Sequence, residues 1–401
     1  MTATPYGASV KGFREEERSA RAIPLLRVDP LLFLATAGLV GFGIYTIYTA
    51  TSSDIPGSPY YYVIRQGIYA GVGGLLMLII SRFDYSRLRE WRWGIYGLML
   101  LTILMTLGLG SASHGSKRWI AFPFFNFQPS ELGKVLLTLA LAGFLVDRTR
   151  RLGERETTAR IMLLTVIPAM LVIAQPDLGS GFVYIAIALA LLFVAGTKWT
   201  HFAALGTLGA VAVTAVLVVA PMAGFHVIKQ YQVDRLTAFV HPTDNPREQG
   251  YQLKQSITAI GSGEKSGRGA NGATQTKLDF IPEHHTDFVF SVVGEEFGFV
   301  GAAIVLSLYA LLIWRGLRIL TMSKNLYGSL VAGGIVVMLM FQVFVNVGMT
   351  VGIMPITGVP LPLMSYGGSS VIVTLLAIGL LQSIHVQARE IAQSKGRQNL
   401  L

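Results

Sequence analysis

GSLVAGGIVVMLMFQVFVNVGM, Gly328 to Met349, runs for 22 residues without an ionisable side chain. As an α-helix it would rise about 33 Å at 1.5 Å per residue, enough to cross a bilayer core of roughly 30 Å. Working outward, comparable apolar runs occupy residues 30–50, 64–81, 93–110, 130–147, 161–175, 178–196, 201–222, 286–313 and 370–386. The pattern predicts an all-α polytopic membrane protein with about ten transmembrane helices. Composition agrees: 52% of the 401 residues are hydrophobic, 13% are charged, and the mean hydropathy is +0.55, values at which a soluble domain of this size would stay in solution poorly.

Charge sets the expected orientation. Residues 1–29 carry Lys11, Arg14, Arg18, Arg21 and Arg27 around no apolar core, and the first apolar run lacks a small-residue cleavage site. The N-terminus therefore reads as a cytoplasmic tail rather than a signal peptide. Ten spans from an inside start also place residues 387–401 in the cytoplasm. The loops assigned inside then hold about twice as many Lys and Arg as those assigned outside. The net charge of +10 is an orientation signal, so nucleic acid is not an expected partner. With no cysteine, disulfides, thiolate metal sites and cysteine nucleophiles are excluded.

Within the transmembrane domain, residues 30–386, one connection stands apart: 223–285, a large external loop between helices 7 and 8. Apolar and aromatic residues recur in it, which argues against disorder. GYQLKQSITAI reads as a short amphipathic helix, and GSGEKSGRGANG as a glycine-rich break in regular structure. The loop empties into IPEHHTDFVFSVVGEEFGFVG, Ile281 to Gly301. That places Asp287 at the water–lipid boundary and Glu295 and Glu296 at membrane depth, where acids are costly and retained for a task or a partner. At i, i+4 and i+8, Asp287, Ser291 and Glu295 would share a helical face, with Glu296 turned about 100° away. Glu295 can then tune Asp287 or bind an ion with it, whereas Glu296 faces another helix. A structural, hydrogen-bonded acid is the plain alternative for both. Gly294 and Gly298 form a small-xxx-small pair suited to close helix packing.

Six segments in order resemble the SEDS family (shape, elongation, division and sporulation proteins): GSKRWIAF from Gly115, QPSELGK from Gln128, QPDLGS from Gln175, GYQLKQSITAIGSG from Gly250, PEHHTDFVFSVVGEEFGFVG from Pro282 and GVPLPLMSYGGSS from Gly358. AIGSG and GEEFGFVG are closer to the RodA branch than to the FtsW branch. The chain departs from the family at Glu264, where a glycine is usual, and at Arg268, where a lysine is usual. The resemblance implies a peptidoglycan glycosyltransferase of the bacterial inner membrane with its active site facing outside. It would polymerise lipid II during cell elongation, release undecaprenyl pyrophosphate, and work with a class B penicillin-binding protein within the elongation machinery. A flippase for the same lipid-linked precursor is the alternative, although no internal repeat of the kind carriers use is visible.

Glycosyl transfer needs a base for the acceptor hydroxyl and cations for the departing pyrophosphate. Asp287 matches the family's essential aspartate; by itself it also fits a helix N-cap. Glu131 and Lys134, three apart, can pair on one helical face as a required structural element. Lys117, Arg118, Arg235 and Arg268 are the candidates for gripping pyrophosphate. Trp119 beside them fits an interface anchor. Asp177 fits a helix cap. SYGGSS reads as a re-entrant turn, with Ser369 offering a hydroxyl to the headgroup. A divalent cation such as Mg²⁺, held by Asp287 and pyrophosphate oxygens, is compatible with this chemistry, and no organic cofactor is expected. His284 and His285 are adjacent and lack HExxH spacing, so a dedicated zinc site is not expected there.

Overall fold

The computed structural model describes residues 28–113, 116–122, 125–219, 222, 249–278 and 280–398. Each of the ten apolar runs falls on one helix: α1 Pro30–Thr51, α2 Tyr61–Ser81, α3 Arg92–Leu109, α4 Pro129–Asp147, α5 Arg155–Ala174, α6 Leu178–Val194, α7 Trp199–Thr214, α11 Val289–Met322, α12 Leu326–Thr350 and α13 Gly368–Gln398. Seven of these are long and apolar enough to cross a bilayer by themselves, α3 and α6 contain shorter apolar helices, and α7 continues into a π-helical turn, Ala215–Val219. Between α7 and α11 lie α8 Gln249–Ser262 and two single-turn helices, α9 Gly269–Gly272 and α10 Thr274–Lys277. The glycine-rich stretch, expected to break all regular structure, thus still closes one helical turn.

The chain is a polytopic helical membrane protein. Leu75, Leu98, Leu163, Leu208, Phe299 and Ile304 are exposed on outer faces of the bundle, an apolar surface that suits lipid and not water. The centre is built from α4, α6, α12 and α13. In the most apolar stretch of α13, 89% of residues are enclosed by protein, against 22% for α2, which packs along α13 from outside.

One element departs from all-α. The α3–α4 connection forms a small antiparallel sheet of β1 Ser111–Ser113, β2 Ser116–Phe122 and β3 Phe125–Phe127, with Ile120 opposite Phe127 and Phe122 opposite Phe125. Its edge delivers Gln128 to the start of α4.

At one end of the bundle Asp29, the N-cap of α1, receives two hydrogen bonds from Arg315 Nε at 3.1 and 2.9 Å and presents its own N–H to Gln382 Oε1 at 2.7 Å. The other end holds the described site residues and the described part of the connecting segment, residues 249–278.

α11 is 34 residues long, roughly 51 Å, well beyond a bilayer core. It breaks at Gly298, whose φ of 61° and ψ of −158° are non-helical. Phe299 to Met322, about 36 Å, suffices to span. The part before the break is enclosed by the connecting segment, whose backbone replaces the helical ladder: Arg268 N–H donates to Glu295 O at 2.9 Å, and Phe299 N–H and Val300 N–H donate to Glu264 O and Lys265 O at 2.9 and 3.1 Å. Gly294 therefore packs against Ile260 of α8, and a Cβ on Gly298 would collide with Gly267 N and Gly263 O. The small-xxx-small pair admits a loop rather than a neighbouring span.

Candidate active site

Asp287 closes the turn that leads into α11. Phe288 occupies the N-cap position without a side-chain cap, so Asp287 is not the helix cap. The turn is held from below by buried Ile281 and Phe288, which pack with Leu253 and Ala259 of α8, Met349 of α12 and Ile356. Asn346 Nδ2 donates to both Asp287 O and Val359 O at 2.8 Å. That one amide ties the aspartate's backbone to the segment 351–367 between α12 and α13. Tyr366 N–H donates to His285 O at 2.8 Å, closing the same join two residues earlier. The Asp287 side chain is half-buried.

The 351–367 segment continues the site toward α4. Gln66 Nε2 donates to Ser365 O at 3.1 Å and Gly367 N–H to Gln66 Oε1 at 3.3 Å. Ser369 Oγ donates to Asn126 O at 3.0 Å and accepts from Gln128 N–H at 2.9 Å. Ser369, expected to serve a headgroup, thus uses its hydroxyl to bind α13 to β3. Tyr366 stands edge-on to Tyr62 at 5.0 Å between centroids; burial, with the neighbouring Tyr69, pushes its phenol up to about 12, so it is a neutral donor at physiological pH.

At the head of α4, Lys134 Nζ and Glu131 Oε1 pair at 2.5 Å with both side chains almost wholly buried. Beside them Ser130 Oγ donates to Asp177 Oδ2 at 2.9 Å, and Gln128 Nε2 reaches the same oxygen at 3.3 Å. Asp177 also caps α6 through Ser180 N–H at 3.0 Å. Arg118, from β2, donates through Nη2 to Pro176 O in that turn, while its buried Nε has no hydrogen-bond partner among the described residues. Arg118 is thereby anchored on the turn whose Asp177 is bonded to Ser130 of α4.

Lys117 lies on β2 with its side chain outside the described residues, and Arg235 lies outside them altogether. Arg268 is exposed, its Nε donating to Ser262 O at 2.9 Å.

The two glutamates meet expectation unequally. The face predicted to join Asp287, Ser291 and Glu295 is covered by the connecting segment: Ser291 Oγ meets Ser256 Oγ of α8 at 2.6 Å. Both Glu295 oxygens accept from the start of α10, from Gln275 N–H at 2.8 Å, Thr276 N–H at 3.0 Å and Thr276 Oγ at 2.7 Å. Glu295 thus serves as a hydrogen-bonded structural acid, the plain alternative for it. The helical spacing misleads because Asp287 precedes the helix. Glu296 does face another span, accepting from Thr49 Oγ of α1 at 2.6 Å. Both acids lie before the break at Gly298, within the envelope of the connecting segment rather than in the spanning part.

Sequence reasoning missed Asn346 and Gln66, uncharged residues inside apolar runs. The available signal was an amide in a mostly apolar stretch, where a buried polar side chain needs a hydrogen-bond partner. It also missed the approach of Asp54 to His284 and His285, whose ligating atoms lie within 4.8 Å of one another. The turn brings the two adjacent histidine rings to 5.1 Å between centroids.

The cell cycle protein family of FtsW, RodA and SpoVE matches residues 29–390. Stage V sporulation protein E of Bacillus subtilis (strain 168) is 34% identical over 367 residues, 90% of this chain and 98% of that protein. The peptidoglycan glycosyltransferase MrdB of Escherichia coli (strain K12) is 34% identical over 369 residues, 92% of this chain and 96% of its own length. A chain from a peptidoglycan synthase complex that coordinates polymerization and crosslinking superimposes with a TM-score of 0.77 at 33% identity, covering 90% of this chain and 99% of that one. With so much of its length matched by family and fold alike, the chain belongs to the FtsW, RodA and SpoVE family of cell cycle proteins.

Proposed function

We propose that this chain is a peptidoglycan glycosyltransferase that polymerises lipid II, with Asp287 as the base. The observation that carries the role of Asp287 is its setting: a half-buried carboxylate just before α11, its backbone pinned by Asn346 to the 351–367 segment. A carboxylate so held can take a proton without moving. In the proposed step Asp287 accepts the proton of the acceptor sugar hydroxyl while that oxygen bonds to the anomeric carbon of the donor. The anomeric C–O bond to pyrophosphate breaks, undecaprenyl pyrophosphate leaves with the electron pair, and the anomeric configuration inverts.

Arg118, anchored on Pro176 O in the turn before α6, is our candidate for the leaving pyrophosphate, with Lys117, Arg235 and Arg268 as further cations. The Glu131–Lys134 ion pair would organise this side of the cavity. Asp287 offers a single carboxylate, so a divalent cation such as Mg²⁺ acting there would complete its shell from pyrophosphate oxygens. By our reading the protein sits in the bacterial inner membrane with both termini cytoplasmic and the Asp287 end outside, and a class B penicillin-binding protein crosslinks the strands it makes. We assign it to elongation; its depletion in a rod-shaped host would then give rounded cells, whereas filaments would mark a division role.

The test is polymerisation of lipid II by purified protein in detergent, where there is no second compartment and a flippase would make no strands. Asp287→Asn should lower the rate by about 10²–10⁴-fold, the range for loss of a general base, with an unchanged melting temperature. A variant polymerising at the wild-type rate would remove Asp287 from the chemistry.

A further inference from the structure

We propose that Asp54, His284 and His285 form a binding site for one divalent transition-metal ion of the Zn²⁺ or Mn²⁺ class, clipping the α1–α2 turn to the turn that carries Asp287. Asp54 follows α1, some 230 residues away in sequence, yet one ligating atom from each of the three lies within 4.8 Å of the others. His284 is buried and its Nδ1 is set on Ile281 O at 3.0 Å. With Nδ1 on that carbonyl, the ring turns its Nε2 toward Asp54 Oδ2 at 3.5 Å. The separation is longer than a charge-assisted hydrogen bond of about 2.7–2.9 Å. It matches the spacing of roughly 3.4 Å between tetrahedral ligands bonded at about 2.1 Å.

Backbone fixation of the far ring nitrogen is the usual support of a metal-bound histidine, since it sets the tautomer and the ring angle. The second ring is fixed as well: His285 lies 4.9 Å from the Tyr62 ring and 5.7 Å from the Tyr366 ring, with its carbonyl held by Tyr366 N–H. Two imidazoles and one carboxylate favour a transition ion over Mg²⁺ or Ca²⁺, which prefer all-oxygen shells. Three protein ligands leave a coordination position for water or another oxygen ligand. Asp287, two residues on, is not among the three. The site is therefore separate from any cation shared with substrate pyrophosphate, and it stands whether or not the proposed transfer step is right.

The test uses the full chain, purified in detergent and stripped of metal, titrated calorimetrically with Zn²⁺ and separately with Mn²⁺, with Mg²⁺ as control and melting followed in parallel. One transition ion should bind per chain and raise the melting temperature. Asp54→Asn and His284→Gln should each weaken binding at least tenfold and abolish that rise, while Asp287→Asn keeps both. Because a variant can fail to fold, pulsed EPR of the wild-type chain loaded with Mn²⁺ or Cu²⁺ supplies an independent readout, expected to show coupling to two histidine nitrogens. No binding by the wild type, undiminished binding in folded Asp54→Asn and His284→Gln, loss in Asp287→Asn alone, or a spectrum without nitrogen coupling would each overturn the inference. In the first and second cases a protonated His284 paired with Asp54 would account for the geometry.

Discussion

Glu131 on α4 and Glu295 on α11 are both buried carboxylates near the Asp287 end of the bundle, and their negative charges are balanced by different means. Glu131 meets a full positive charge, Lys134, three residues along its own helix. Among the described residues Glu295 meets no cation; it takes two backbone N–H groups and a hydroxyl from the start of α10. The first arrangement is local and would survive movement of its surroundings. The second exists only while the connecting segment is folded against α11, so Glu295 acts as a latch on that segment. In this region, then, a carboxylate on the rigid core carries its partner with it, and one beneath a loop is satisfied by the loop.

The contrast can be broken most forcefully at Lys134. Lys134→Met leaves the Glu131 carboxylate buried without its cation and should cost about 3–5 kcal/mol in unfolding stability. Glu131→Gln added to Lys134→Met should recover most of it, as read by denaturant or thermal unfolding in detergent. Equal losses in the single and double variants would show that the pair does not act as a unit. Glu295→Ala strands one buried and one half-buried amide and should cost about 2–3 kcal/mol. Its signature is local: proteolysis within residues 263–278 should accelerate well before the core melts. A uniform loss across the molecule would contradict the latch.

Smaller effects sharpen the same comparison. Thr49→Val removes the hydroxyl donated to Glu296 from α1 and should cost about 1–2 kcal/mol; adding Glu296→Gln should change stability less in that background than in the wild type, by a double-mutant cycle. Glu264 sits in the left-handed region at φ 47°, at the position where the family usually has glycine. Glu264→Gly should therefore stabilise the connecting segment by up to about 1 kcal/mol, read as slower proteolysis there. The departure noted in the sequence is thus a strained backbone position.

Several site features were legible because they depend on short spacings. Glu131 and Lys134 meet because i and i+3 share a helical face, and Asp177 caps α6 because an acid before an apolar run accepts free amides there. The GYQLKQSITAI helix followed from its amphipathic pattern. Other readings failed where the local rule lost its premise. Asp287, Ser291 and Glu295 share a face only if the helix starts by Asp287, and it starts after it. Gly294 and Gly298 signal close approach, but their spacing cannot say whether a helix or a loop arrives. His284 and His285 were judged from their adjacency, whereas the third potential ligand, Asp54, comes from another turn.

By itself the sequence determined that this is a helical bundle built for lipid, since apolar runs of about 20 residues must close their backbone hydrogen bonds internally to cross a bilayer. It also determined which acids and bases lie near Asp287 along the chain. Only the tertiary structure decided how those groups are used: Asn346 and Tyr366 fixing the turn, α10 occupying Glu295, Ser369 tying α13 to β3, and Asp54 arriving beside two histidines. The physical reason is range. Helix formation and apolar burial follow from neighbours a few residues apart, whereas the partner of a buried polar group is whatever the packing of distant segments brings within about 3 Å.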